Sequence, residues 1–296
     1  SWVPSKWEGA KEASAERGTA LATLAFLGAG HTTKTGRFRD NVSRAVKWLL
    51  SKQAAHGGFG EDATTHAVCT LALVEVYGMT KDPKVGKAAQ KSVERARVLQ
   101  KPYSGWPKEA PDLETTAWMV QAMKSAKIAG LKVDMAGFQG AMAFLTKTVD
   151  DGGRFRNQPG KGDVSSRDTA RGALCLMLMG TPNTKAQVRG AAGHVLGALP
   201  AWGDGGRSAD FDYWLWSTMT AFQCGGETWK KWNAAIRPLL VGNQRRGGPL
   251  DGSAGDVDGA WDPLGRDGDM MGRVGVTAFG TLTLETYYRY LPLYTK

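Results

Sequence analysis

Two kinds of apolar periodicity alternate along the chain. Segments with little charge on any face read TALATLAFLGAG from Thr19, THAVCTLALVEVYG from Thr65, TTAWMVQAMKSAKIAG from Thr115, TARGALCLMLMG from Thr169, YWLWSTMTAFQCGG from Tyr213 and VTAFGTLTLETYYRYL from Val276. Between them lie FRDNVSRAVKWLLSKQ, KVGKAAQKSVERARVLQ, AGFQGAMAFLTKTV, AQVRGAAGHVLGALP and KWNAAIRPLLVGNQ, which carry apolar residues at spacings of three and four with a polar remaining face. The first set predicts helices buried all round and the second helices with one side in water. Five of the six apolar segments end at Gly, the residue favoured just past a helix C-terminus.

The alternation repeats about every 45 to 50 residues, as in helical repeat arrays. Each polar helix is followed by a Gly-rich turn with an aromatic residue: HGGFG at His56, YSGWP at Tyr103, DGGRF at Asp151, WGDGG at Trp202 and GAWDP at Gly259. Glycine opens a conformation closed to other residues, and the aromatic ring can pack over the end of a helix pair. Six inner and five outer helices cannot bury their faces alone, and closing the array into a ring buries the end repeats that an open solenoid leaves exposed. The reading is all-α, one domain over 1–296, with a long Gly- and Asp-rich surface loop at 247–272.

QAAHGGF and QKPYSGW resemble the glutamine-tryptophan repeat of squalene–hopene cyclase relatives, with Phe59 and Ser104 as departures from it. The segments GGETWKKWNAAIRPLLVGNQ, WDP at Trp261 and TLETYYRYLPLY are similar to bacterial prenyltransferase and squalene-cyclase repeat proteins in particular. The resemblance spans nearly the whole chain. It implies an α/α toroid of the terpenoid cyclase and protein prenyltransferase superfamily, with a central cavity that opens where the inner helices begin.

The chemistry of those families is not carried by their motifs here. The DxDD acid of class II cyclases is absent, the nearest strings being DFD at Asp210 and DVD at Asp256. Asp150-Asp151 runs into GGR and lacks the DDxxD spacing that holds magnesium on a diphosphate. PGKGDVSSRDTARGALC echoes the zinc-histidine region of prenyltransferase β subunits, but Arg171 stands at the histidine position. QCGGE at Gln223 lacks the residue order of a thioester CGEQ.

Polar and aromatic residues at the starts of the inner helices are the candidates for the ring's mouth: His66, Glu114, Trp118, Asp168, Arg171, Asp212, Tyr213, Trp216 and Arg273. Unpaired N–H groups converging there favour an anionic group, so an amphipathic ligand or lipid with a polar or anionic head fits the set. Plainer readings stand beside this one. His66 also suits a satisfied core histidine, Asp168 and Asp212 suit helix N-caps or first-turn acids, and Trp118, Trp214 and Trp216 suit inner-ring packing.

Cys69, Cys175 and Cys224 lie in apolar patterns and read as buried thiols. No metal set, phosphate loop or nucleophile motif is visible, so no cofactor or metal is expected. The net charge of +10 permits a polyanionic partner, yet the basic residues are spread out and no specific nucleic-acid role follows. No apolar run is long enough for a transmembrane helix; an extracytoplasmic soluble part of a larger membrane-attached bacterial protein, with a protein or envelope partner, is one setting. With the motifs lost, the reading taken is a non-catalytic ligand- or partner-binding ring. The alternative is a cyclase- or isomerase-like enzyme on isoprenoid or other amphipathic substrates, using an unrecognised acid, Asp212 or Asp168.

Overall fold

The computed structural model describes residues 1–2, 14–247 and 258–289. Six inner helices are α1 (Ala15–Gly28), α3 (Ala63–Thr80), α5 (Leu113–Ala129), α7 (Ser166–Leu178), α9 (Phe211–Cys224) and α11 (Gly265–Arg289). The outer helices are α2 (Arg39–Lys52), α4 (Pro83–Val98), α6 (Met135–Thr148), α8 (Ala186–Gly197) and α10 (Gly226–Gly242). Each inner helix packs on the next in the series, and α1 packs on α11, which closes the ring. This is the expected α/α toroid, with one addition: an antiparallel hairpin of β1 (Arg156–Gln158) and β2 (Lys161–Val164) between α6 and α7.

The turns explain the repeat. Phe59, Trp106, Phe155 and Trp261 are all buried. The Trp106 indole donates to the Ala96 carbonyl at 2.6 Å and that of Trp261 to Leu240 at 2.9 Å, so each ring satisfies a carbonyl near the end of the outer helix it covers. A threonine on the following inner helix accepts the aromatic residue's own N–H: Thr116 from Trp106, Thr169 from Phe155 and Thr277 from Trp261. At Gly172 and Gly280 a Cβ would collide with the rings of Phe155 and Trp261, so the inner helix needs glycine there. The glutamines clamp the other side. Gln53 donates to Gly57 in its turn and to Ala88 and Ser92 of the next outer helix, and Gln100 donates likewise to Ser104 and Gly137.

Two local expectations change. Gly78 does not end α3; the helix runs on to Thr80, and Lys81 takes the left-handed conformation (φ 52°) that Gly130 takes after α5. Within 247–272, residues 248–257 lie outside the described residues, and α11 begins at Gly265, inside the stretch read as loop, bending at Gly272 (φ 62°). Across the ring axis, Trp118 meets Trp216 edge-on with centroids 5.0 Å apart and lies against Phe279 at 6.2 Å. This aromatic layer divides the ring into two mouths. Among the described residues no helix is long and apolar enough to cross a membrane.

Candidate functional site

The inner helices begin with a recurring cap. Ser14, Asp62, Asp112, Ser165 and Asp210 each accept the backbone N–H three residues on, at Arg17, Thr65, Thr115, Asp168 and Tyr213. These caps occupy N–H groups that the sequence reading left open for an anionic ligand. Just inside them, in the first helical turn, stand Glu114, Asp168, Asp212 and Asp267, where the helix dipole favours carboxylates. The mouth therefore carries a ring of acids, set against Arg17, Arg167, Arg171 and Arg266.

Arginines bind this acidic ring together. Arg171, on α7, is buried and reaches Asp212 at 2.5 Å, Asp168 at 3.3 Å and Glu114 at 3.4 Å. Arg167, one turn earlier, pairs with Asp210 at 2.6 Å and Asp212 at 3.3 Å. Arg17 of α1 holds the other oxygen of Glu114 at 3.1 Å. Asp212 Oδ1 also accepts the Trp216 indole N–H at 3.0 Å, tying the polar mouth to the aromatic layer.

Burial sets these carboxyls apart. It works to raise Glu114, but Arg171 and Arg17 prevail and hold that carboxyl below its usual range. Asp212 is pushed up by burial against the pull of Arg171 and Arg167. Asp267 has no arginine so close. It is 3% exposed, its Oδ2 accepts the Asp212 backbone N–H at 2.9 Å, and burial together with the charges of Asp212 and Asp210 raises it to about 7. Arg171 is raised further above its already high value, so it stays charged.

A cleft of about 590 Å³ opens on this cluster, lined by Glu114, Asp168, Arg167, Arg171, Asp210 and Tyr213, with Asn157, Ser165, Ser166 and Ser208 on its walls. Asn157 comes from the hairpin, where its Oδ1 accepts the Leu113 N–H at 3.0 Å and seats β1 on the start of α5. A crevice of about 10 Å³, roughly room for one water molecule, adjoins the cleft through Glu114 and Arg266, which line both. Asp212, Asp267, Met271 and Phe279 line that crevice.

Of the sequence candidates, Glu114, Asp168, Arg171, Asp212 and Tyr213 come together at this mouth. Three do not line it. His66 is buried under α4, its Nε2 3.1 Å from the Ser92 carbonyl and its ring stacked on Phe59; burial lowers it to about 4, so it is a neutral core imidazole. Trp118 lies in the aromatic layer. Arg273 turns outward to Asp262 at 2.7 Å and to the Trp261 carbonyl. Trp216 reaches the cluster only through its indole N–H. Sequence reasoning missed Arg17, Arg167, Asp210 and Asp267; Arg167 is signalled by its position one turn before Arg171. The three thiols are buried or half-buried, and burial raises each of them. Among the described residues no group of three His, Cys, Asp or Glu side chains is arranged to hold a metal ion.

No protein-family model and no curated protein sequence matches the chain. Solved structures do. The GH76A α-1,6-mannanase of Salegentibacter sp. HEL1_6 is similar at TM-score 0.62 and 12% identity, over 95% of this chain and 91% of that one. Cellobiose 2-epimerase of Bacillus thermoamylovorans B4167 is similar at TM-score 0.63 and 10% identity, over 90% and 87%. The type II terpene cyclase MstE of Scytonema is similar at TM-score 0.55 and 14% identity, over 91% and 86%. At these identities the likeness is one of fold, and the fold is the α/α toroid. The reading of a non-catalytic module is corrected here: the named neighbours are enzymes, which favours the alternative of an enzyme, and a buried carboxyl, that of Asp267, stands at the mouth.

Proposed function

We propose that the chain is an acid–base enzyme in which Asp267 donates a proton to a neutral, hydroxyl-bearing small molecule held in the cleft, a glycoside being the substrate class. The observation that carries this reading is a buried carboxyl, raised to about 7, on a water-sized crevice beside a polar cleft. A general acid works best with a pKa near the operating pH, and it acts directly or through one water. Beside a protonated Asp267, the acids Glu114, Asp168, Asp210 and Asp212 stand against Arg17, Arg167, Arg171 and Arg266, a balance of formal charge that suits a neutral substrate. In the proposed step Asp267 protonates the glycosidic oxygen and the C–O bond breaks with its electron pair going to that oxygen. Water then adds to the sugar cation and gives its proton to an ionised carboxylate, for which Glu114, kept ionised by two arginines, is suited. The α-1,6-mannanase and the cellobiose 2-epimerase are named for sugars and share the fold, which supports the class.

A second reading is protonation of an isoprenoid alkene, favoured by the apolar Met270, Met271 and Phe279 beside Asp267. Incubation with manno-, gluco- and xylo-oligosaccharides and, separately, with polyprenyl alkenes, followed by mass spectrometry of the products, decides between them. The expected result is cleavage or rearrangement of a sugar that Asp267→Asn abolishes while the helical spectrum is kept. Conversion of alkenes alone selects the second reading. No turnover of either class, or full turnover by Asp267→Asn, refutes the role of Asp267.

A further inference from the structure

The other mouth of the ring, on the far side of the aromatic layer, holds a larger hollow of about 810 Å³, within the usual size of small-molecule sites, about 300–1,000 Å³. All six inner helices contribute to it near their C-terminal ends. Its depth can be followed along α5, where Gln121, Lys124 with Ser125, and Ile128 fall on one helix face at spacings of three and four. Gln121 is buried, Lys124 half-buried and Ile128 is 76% exposed, so these residues run from floor to rim. Facing them are Val74, Leu174 and Met219, all buried, and Met79 at the rim. The hollow is an apolar well in which a lysine stands halfway down.

Converging helix C-termini carry partial negative charge, which opposes an anion. Here that charge is met from within: Lys81 Nζ donates to the Ala129 carbonyl at 2.9 Å, and Arg289 donates to Leu24 at 2.7 Å and pairs with Glu75. Lys124 has no hydrogen bond or ion pair among the described residues. Glu75, on the same lining, is held by Arg289, and the side chains facing Lys124 across the hollow include Val74, Leu174 and Met219.

We infer that this mouth is a second ligand site, for an amphipathic molecule whose apolar chain lies along Val74, Leu174 and Met219 and whose single anionic head pairs with Lys124. This inference does not depend on the chemistry proposed for the mouth that holds Asp267. The apolar body that the sequence suggested for a ligand finds its walls here, at the opposite end from the one expected.

The probes are palmitate, farnesyl monophosphate and the uncharged hexadecanol, titrated onto the full chain and followed by native mass spectrometry and calorimetry. One anionic molecule per chain is expected, with hexadecanol bound at least about tenfold more weakly; palmitate and the phosphate together tell a carboxylate head from a phosphate head. Lys124→Glu is expected to weaken the anions by at least about tenfold, and Ser125→Trp, which fills the well, to remove binding. Asp267→Asn, at the other mouth, leaves binding unchanged. Unaltered binding in a folded Lys124→Glu variant overturns the inference, as does the failure of both anions to bind the folded wild type.

Discussion

Asp267 accepts the backbone N–H of Asp212 at 2.9 Å, so the first turns of α9 and α11 are joined by a bond between one acid's carboxyl and the next acid's main chain. Asp212 keeps its own carboxylate on Arg171 and Arg167. Of two neighbouring acids, one is matched by arginine and the other is crowded by negative charge. Burial raises both carboxyls, and only Asp212 is paired with arginine against it.

The rate is expected to fall as pH rises through about 7, because Asp267 must carry its proton; Glu114, Asp212, Asp210, Arg17, Arg167 and Arg266 are the charged groups around it. Asp267→Asn should lower kcat/KM at least about a hundredfold and leave no alkaline limb near 7 in the residue of activity. A pH–rate profile of both proteins checks this.

Stability carries the same signature with the sign worked through. Asp267 is raised from 3.8 to about 7 on folding, so between those values the folded state holds a proton that the unfolded chain has released, and its contribution falls as pH rises. His66 is lowered from 6.5 to about 4, so in its window the unfolded chain binds the extra proton and stability rises with pH. Urea unfolding from about pH 4 to pH 7 should show the loss relieved in Asp267→Asn and the gain flattened in His66→Gln. Opposite trends in the two variants would show the assignments to be wrong.

Arg171→Met should cost about 3–5 kcal/mol, because it strands Glu114, Asp168 and Asp212 around a buried site without their shared cation. In the double variant with Asp212→Asn the loss should be less than the sum of the single losses. Equilibrium denaturation of the four proteins measures the coupling.

Gln53→Ala should cost about 1–3 kcal/mol, since the Gly57 and Ala88 carbonyls and the Ser92 hydroxyl lose one shared donor. Gln53→Glu should do no better, as a carboxylate cannot donate to those carbonyls. Thermal unfolding of the two variants tests whether the clamp works through the amide's N–H groups.

Much of the ring was legible because its helices are set by long periodic patterns and its turns by glycine beside a buried aromatic. The site was legible only in part. Asp168, Arg171, Asp212 and Glu114 stand in strong helix starts, so their position followed from the pattern. Asp267 was hidden because α11 begins in a stretch dense in Gly and Asp, where local composition says loop and only packing against α9 makes helix. His66 and Trp118 follow their plainer readings, core histidine and inner-ring packing; at a helix start that is buried all round, sequence does not show which side faces the mouth.

The contact of α1 with α11 has a kinetic meaning apart from its part in burial. Most neighbouring helices in the ring are joined by a short stretch of chain, whereas the Arg289 bond to Leu24 spans 265 positions. Closing so long a loop carries a larger entropic penalty than closing the short connections between neighbouring helices, and it rewards the chain only after the intervening repeats have stacked. Assembly is therefore expected to end at this seam, and opening to begin there. Hydrogen exchange should find the amides of α1 and α11 less protected than those of α5 and α7, in the centre of the row.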